Sequence, residues 1–149
     1  MAVLFFLLLL AVLFDFGSSR IPNFLIVSVA GWSILYRGVV PGGKSLIFYI
    51  GSMIILFFIL IPLFRLKVIA GGDVKLLSAC ACYTGLQSGM SLVLYSFFFG
   101  AILSFFKLVY HRLFSKQRKN TKHYIHFSLP IFLGAVAEHI WGGMLWQIF

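Results

Sequence analysis

The sequence predicts an all-α, polytopic membrane protein of about six transmembrane helices. Three observations carry this prediction. The 149 residues are 62% hydrophobic and only 10% charged, and a folded chain of this size leaves too much of its surface in water to hide that excess. Six apolar segments alternate with short polar stretches. The basic residues fall overwhelmingly on one side of the pattern those segments draw, as the positive-inside rule requires of a multi-pass chain.

The length suits one domain, spanning 1–149. A net charge of +9 would suit nucleic acid in a soluble protein. With a mean hydropathy of +1.07, the expected partners are instead anionic lipid headgroups, and the charge sets orientation.

The apolar segments run over 1–14, 22–36, 46–64, 76–89, 91–109 and 125–149. A full helical span takes about 20 residues, which the third, fifth and sixth approach or exceed. The first opens MAVLFFLLLL without a basic leader ahead of it or a small-x-small cleavage site after it, so it reads as a retained span rather than a signal peptide. The second begins at Pro22, a residue suited to a first helical turn. The first, second and fourth are short, so polar groups at their ends sit deeper than the usual interface.

The fourth contains SACACYTG. Small residues let helices approach closely in lipid, which predicts a crowded, central helix. Its cysteines, Cys80 and Cys82, lie one residue apart, a spacing that suits neither a disulfide nor a zinc pair. They read as packing residues, and no metal or cofactor is expected. Segments four and five meet at LQSGMS, with Gly89 as the expected turn residue. The stretch HRLFSKQRKNTKH before the sixth segment lacks hydrophobic periodicity and reads as a solvated loop against headgroups.

Six spans predict inside loops near 15–21, 65–75 and 110–124. With their flanks these hold ten of the twelve Lys and Arg residues, against Arg37 and Lys44 outside. Both termini are then expected to face outward.

Only three residues are acidic: Asp15, Asp73 and Glu138. The drawing places Asp15 just after the first span and Asp73 just before the fourth, both on the cytoplasmic side at similar depth. Two neighbouring carboxylates that share a proton can run an aspartic protease, one activating water and the other stabilising an oxyanion. In AGGDVKLL, Gly71 and Gly72 would let a substrate backbone approach and would permit dihedrals that other residues resist. Plainer readings exist: Asp73 as a helix cap or dipole partner, and DFGSSRIPN as an interfacial turn. Lys75 either tunes the carboxylates' field or snorkels to headgroups. Glu138, beside His139, reads as a buried acid hydrogen-bonded to a neighbouring helix, and Trp141 and Trp146 as an outer interface belt. No His-Glu-x-x-His pattern is present, which argues against a metalloprotease.

AGGDVKLL at 70–77 and DFGSSRIPN at 15–23 together resemble the type IV prepilin peptidases, specifically the short, single-domain members that serve tight-adherence and related systems. The resemblance implies Asp15 and Asp73 as catalytic residues, with Gly71, Gly72, Lys75, Arg20, Pro22 and Asn23 as motif or substrate-positioning residues. It implies cleavage of prepilin or pseudopilin leaders at the cytoplasmic face of a bacterial inner membrane, in support of type IV pilus assembly or protein secretion. This sequence departs from the family's pattern at Ala70, where the motif's first glycine stands, and at Gly17, often basic or polar in the family. The insertion with paired Cys-x-x-Cys of the bifunctional members is missing, so no methyltransferase activity and no zinc are expected. A basic leader would not be attracted by a chain of this charge, which makes recognition local to the acids and the helix-packing surface.

The reading from another class is a small ion- or proton-coupled transporter using Asp15 and Asp73 as ion or proton sites. That class commonly shows inverted-repeat symmetry between halves, and the sequence shows none. An inactive scaffold in a secretion machine is a third reading.

Overall fold

The computed structural model describes residues 2–18, 22–39, 46–114 and 127–148. Every regular element among them is a helix: α1 (Ala2–Ser18), α2 (Asn23–Val39), α3 (Leu46–Arg65), α4 (Gly71–Thr84), α5 (Leu86–Phe114) and α6 (Ser128–Ile148). Two stretches, Leu46–Arg65 in α3 and Leu86–Tyr110 in α5, are long and apolar enough to cross a membrane. Shorter apolar stretches occupy α1, α2 and α6.

Helix α4 is the centre of the bundle, as its composition predicts. Leu76, Leu77, Ala79, Cys80 and Ala81 are completely buried, and the helix packs against α2, α3 and α5. A helix covered on all sides has no need of a polar face, and its small residues permit the close contact. Both cysteines are free and buried. Buried hydroxyls on four helices are satisfied locally: Ser33, Ser52, Ser78 and Ser96 each donate to the carbonyl four residues back. The outer surface is apolar, with Phe24, Ile47, Phe58, Phe98 and Phe105 exposed on α2, α3 and α5. Such a surface suits hydrocarbon rather than water.

Several boundaries differ from the sequence reading, among them the end of α5, which runs to Phe114 and so into the stretch expected as the 110–124 loop. Helix α1 runs on through Asp15 to Ser18, so Asp15 is a helical residue and not a loop residue. Helix α4 begins at Gly71, which places Asp73 inside its first turn. The break between α4 and α5 falls at Gly85 rather than Gly89. Gly85 takes φ 91°, a conformation that glycine adopts without steric cost, while its N–H bonds the Ala81 carbonyl to close α4. Gly89 lies within α5 and serves packing: a Cβ there would stand 2.8 Å from the Ala81 Cβ.

Arg37, expected only as an outer-loop charge, clamps the far end of α4. Its Nε and Nη2 donate to the Tyr83 carbonyl at 2.9 and 2.7 Å, and its guanidinium lies 4.3 Å from the Tyr49 ring centroid. A cation at a helix C-terminus satisfies an orphan carbonyl and complements the macrodipole. One side chain thus ties α2, α3 and α4 together.

Candidate active site

The end of the bundle opposite Arg37 gathers the C-terminus of α1 and the N-termini of α4 and α6. Asp15 lies in the last turn of α1, Asp73 in the first turn of α4, and Ser128 at the start of α6. All three are buried. The Ser128 hydroxyl donates to Asp15 Oδ2 at 2.5 Å, and Asp15 is near enough to Asp73 for their charges to interact. Three helices widely separated in sequence therefore converge on one pair of carboxylates. The helix N-termini supply positive partial charge where it favours anions.

The local sequence explains how Asp73 is held. Ala70 is the N-cap residue in extended conformation, φ −75° and ψ 151°, with no side chain able to cap. The backbone turn closes through Asp73 N–H and Val74 N–H to the Ala70 carbonyl, at 3.1 and 3.2 Å. The Asp73 carboxylate in turn takes a backbone hydrogen bond at Ala70. This is the return half of a capping box, so the capping reading describes part of what Asp73 does. It leaves the neighbouring acid unaccounted for.

Asp73 stands ahead of the apolar stretch 76–89. Burial pushes its carboxyl up to about 7, the charge of Asp15 adds to the rise, and the hydrogen bond at Ala70 opposes it. A carboxyl near 7 can hold its proton at neutral pH, which acid–base chemistry requires of one member of a carboxyl pair.

A cavity of about 270 Å³ opens beside Asp73, between the segment before α4, the middle of α5 and Phe127. It gives the carboxylate a side on which a reacting group can lie.

The remaining sequence-predicted residues divide. Gly71 opens α4 and packs on the Phe64 ring, 3.3 Å from where its Cβ would stand. Among the described residues, positive φ occurs only at Lys67 and Gly85. The expectation that Gly71 and Gly72 adopt dihedrals closed to other residues is therefore corrected. They are ordinary first-turn residues, and the Phe64 ring occupies the space at Gly71. Lys75 is exposed, as snorkelling requires, because two residues from Asp73 it points to another face of α4. Pro22 closes the first turn of α2, its carbonyl accepting from Leu25 N–H at 3.0 Å, and Asn23 is exposed. Arg20 lies outside the described residues. Glu138 is buried on α6 but stands ten residues beyond Ser128, about 15 Å along the helix, so it is no part of this cluster. Among the described residues, no group of three or more His, Cys, Asp or Glu side chains is placed to hold a metal.

Ser128 is the functional candidate that sequence reasoning missed. Its one signal is position: a serine two residues ahead of Pro130 at the start of an apolar run is a helix-start pattern. Nothing in that pattern points across 113 residues to Asp15.

The model of the type IV leader peptidase family matches residues 2–105, more than half the chain and both carboxylates. The chain belongs to that family of membrane-associated proteases. No curated protein and no solved structure matches it.

Proposed function

We propose that this protein is a membrane aspartic endopeptidase that removes the leader peptide of type IV prepilins or pseudopilins, with Asp15 and Asp73 as its catalytic pair. The observation that carries the reading is the meeting of these two buried acids, in a chain that otherwise holds a single acid elsewhere. Burying one carboxylate is costly, and burying two side by side costs more unless they share a proton. A chain would not retain that arrangement for packing alone.

The chemistry follows from the shared proton. The ionised carboxylate takes a proton from a water molecule, whose oxygen attacks the peptide carbonyl carbon. The protonated carboxyl gives its proton to the carbonyl oxygen as the tetrahedral intermediate forms. Collapse of that intermediate breaks the C–N bond, a proton passes to the departing amine, and the pair returns to its one-proton state. The cavity beside Asp73 leaves room for part of the substrate next to the acids. Lys75, Arg20, Pro22 and Asn23 complete the two motifs.

We assign the whole chain, 1–149, to one catalytic domain. The Ser128–Asp15 hydrogen bond supports this, because it draws α6, beyond the family match, into the same site. All six helices would cross or enter a bacterial inner membrane with the acids toward the cytoplasm, an orientation supported by the distribution of basic residues.

The test is co-expression of Asp15→Asn and Asp73→Asn variants with the cognate prepilin, followed by a mobility-shift blot. Asparagine is nearly isosteric and cannot share the proton, so each variant should insert normally and leave the leader uncut. Normal processing by either variant overturns the assignment.

A further inference from the structure

We infer that the cavity beside Asp73 is a substrate subsite that takes one apolar side chain flanking the scissile bond, its size set by Ala101 and Phe127. The inference rests on the peptidase reading and adds the residues that select among substrates.

Helix α5 contributes Phe97, Gly100, Ala101 and Ser104 to the cavity wall. These positions follow the i, i+3, i+4, i+7 spacing of a single helical stripe. Three of the four are small, whereas elsewhere α5 presents large exposed side chains at Leu94, Phe98, Phe105 and Phe106. Small residues on a membrane helix ordinarily mark a close helix–helix contact. Part of this stripe serves that end: a Cβ on Gly100 would stand 2.8 Å from Phe127 Cε2, so the bare glycine lets the Phe127 ring lie against α5. Ala101 is exposed and Ser104 half-buried; both border the cavity, and their small side chains leave its mouth on the α5 side open.

Phe127 forms the opposite wall. Its ring centroid lies 5.7 Å from that of Phe97, tilted by 57°, and the next residue is Ser128, hydrogen-bonded to Asp15. The wall of the cavity and the donor to one acid are thus consecutive residues, while the other acid lines the cavity directly. A side chain in this space would be carried by a residue whose backbone lies at the carboxylates. At about 270 Å³ the cavity is just below the range of small-molecule pockets, a fit for one side chain rather than a longer segment. Asp73 is the one ionisable group among its lining residues, so it favours an apolar occupant.

The experiment uses the full chain in lipid nanodiscs and prepilin-type substrates that differ only in the residues flanking the cut, from alanine to large aliphatic and aromatic side chains. Ala101→Leu narrows the cavity from the α5 side and leaves both acids in place. It should lower kcat/KM for the large-residue substrates by about tenfold or more relative to the alanine substrate, since mismatches in apolar pockets discriminate by about 10–200-fold. Phe127→Ala should move the ratio the other way. An unchanged ratio in both variants overturns the subsite and leaves the cavity as space for a lipid chain, and a uniform loss across all substrates does the same. Failure of the unaltered protein to cut any member of the panel counts instead against the peptidase reading, which separates the two failures.

Discussion

Removing the Ser128 hydroxyl is the most direct probe of how the acids are held. In Ser128→Ala the volume lost is one oxygen atom, and the buried Asp15 Oδ2 loses a donor at 2.5 Å. Hydrogen bonds to charged groups contribute about 1.5–3 kcal/mol, and at about 1.4 kcal/mol per tenfold the loss corresponds to a rate reduction of roughly ten- to a hundredfold. The loss should appear in kcat, because Ser128 orients an acid rather than binding the leader, and KM should stay near that of the unaltered protein. Ser128→Thr keeps the hydroxyl and should recover most of the activity. The assay is the initial rate of leader removal in nanodiscs at matched protein, with thermal unfolding followed in the same samples. An unchanged kcat in Ser128→Ala would refute the positioning role. A loss in Ser128→Ala that tracks only a fall in unfolding temperature would refute it equally.

At the other end of the bundle, Arg37→Ala removes two hydrogen bonds to the Tyr83 carbonyl and the stacking on Tyr49. It should cost about 2–3 kcal/mol of stability, read as a lower unfolding temperature in detergent with activity per folded molecule retained. Arg37→Lys should recover only part of this, since an ammonium does not reproduce the two-pronged guanidinium. If Gly72 faces substrate, Gly72→Val should abolish cleavage while Ala70→Gly retains it; wild-type rates in Gly72→Val would return Asp73 to a capping role. Single cysteines introduced at positions 115–124, between α5 and α6, of a Cys80→Ala, Cys82→Ala background should resist impermeant reagents in intact cells, and labelling from outside would overturn the proposed orientation.

How much of the fold was legible depended on which force set each feature. Helix number and the central place of α4 follow from apolar segmentation and small-residue composition, both written directly in the chain. Boundaries followed from local backbone chemistry and were less accessible. Gly85 and Gly89 lie four residues apart in one polar-punctuated stretch, and either fits a turn. What decides between them is tertiary: Gly89 is needed where α5 crosses Ala81, leaving Gly85 to take the positive φ. The contacts of Arg37 were out of reach for the same reason. Counted as a loop charge it reports orientation, while its place against Tyr49 and Tyr83 depends on three helices meeting.

The site divides along the same line. Asp15 and Asp73 stand out in sequence because charge is scarce in an apolar chain, and scarcity needs no tertiary information to detect. Ser128 does not stand out, because serine is common and its role lies in reaching a carboxylate 113 positions away. The consequence concerns α6. A carboxylate pair at a bundle end needs donors that arrive without bringing further charge. A neutral hydroxyl at a helix N-terminus supplies a hydrogen bond and positive partial charge together. A lysine or arginine in that place would form an ion pair with Asp15 and draw its charge away from Asp73. The interaction between the acids, on which proton sharing depends, would weaken. The exposed Lys75 can then serve orientation, while among the described residues the buried cluster joins two acids and a hydroxyl.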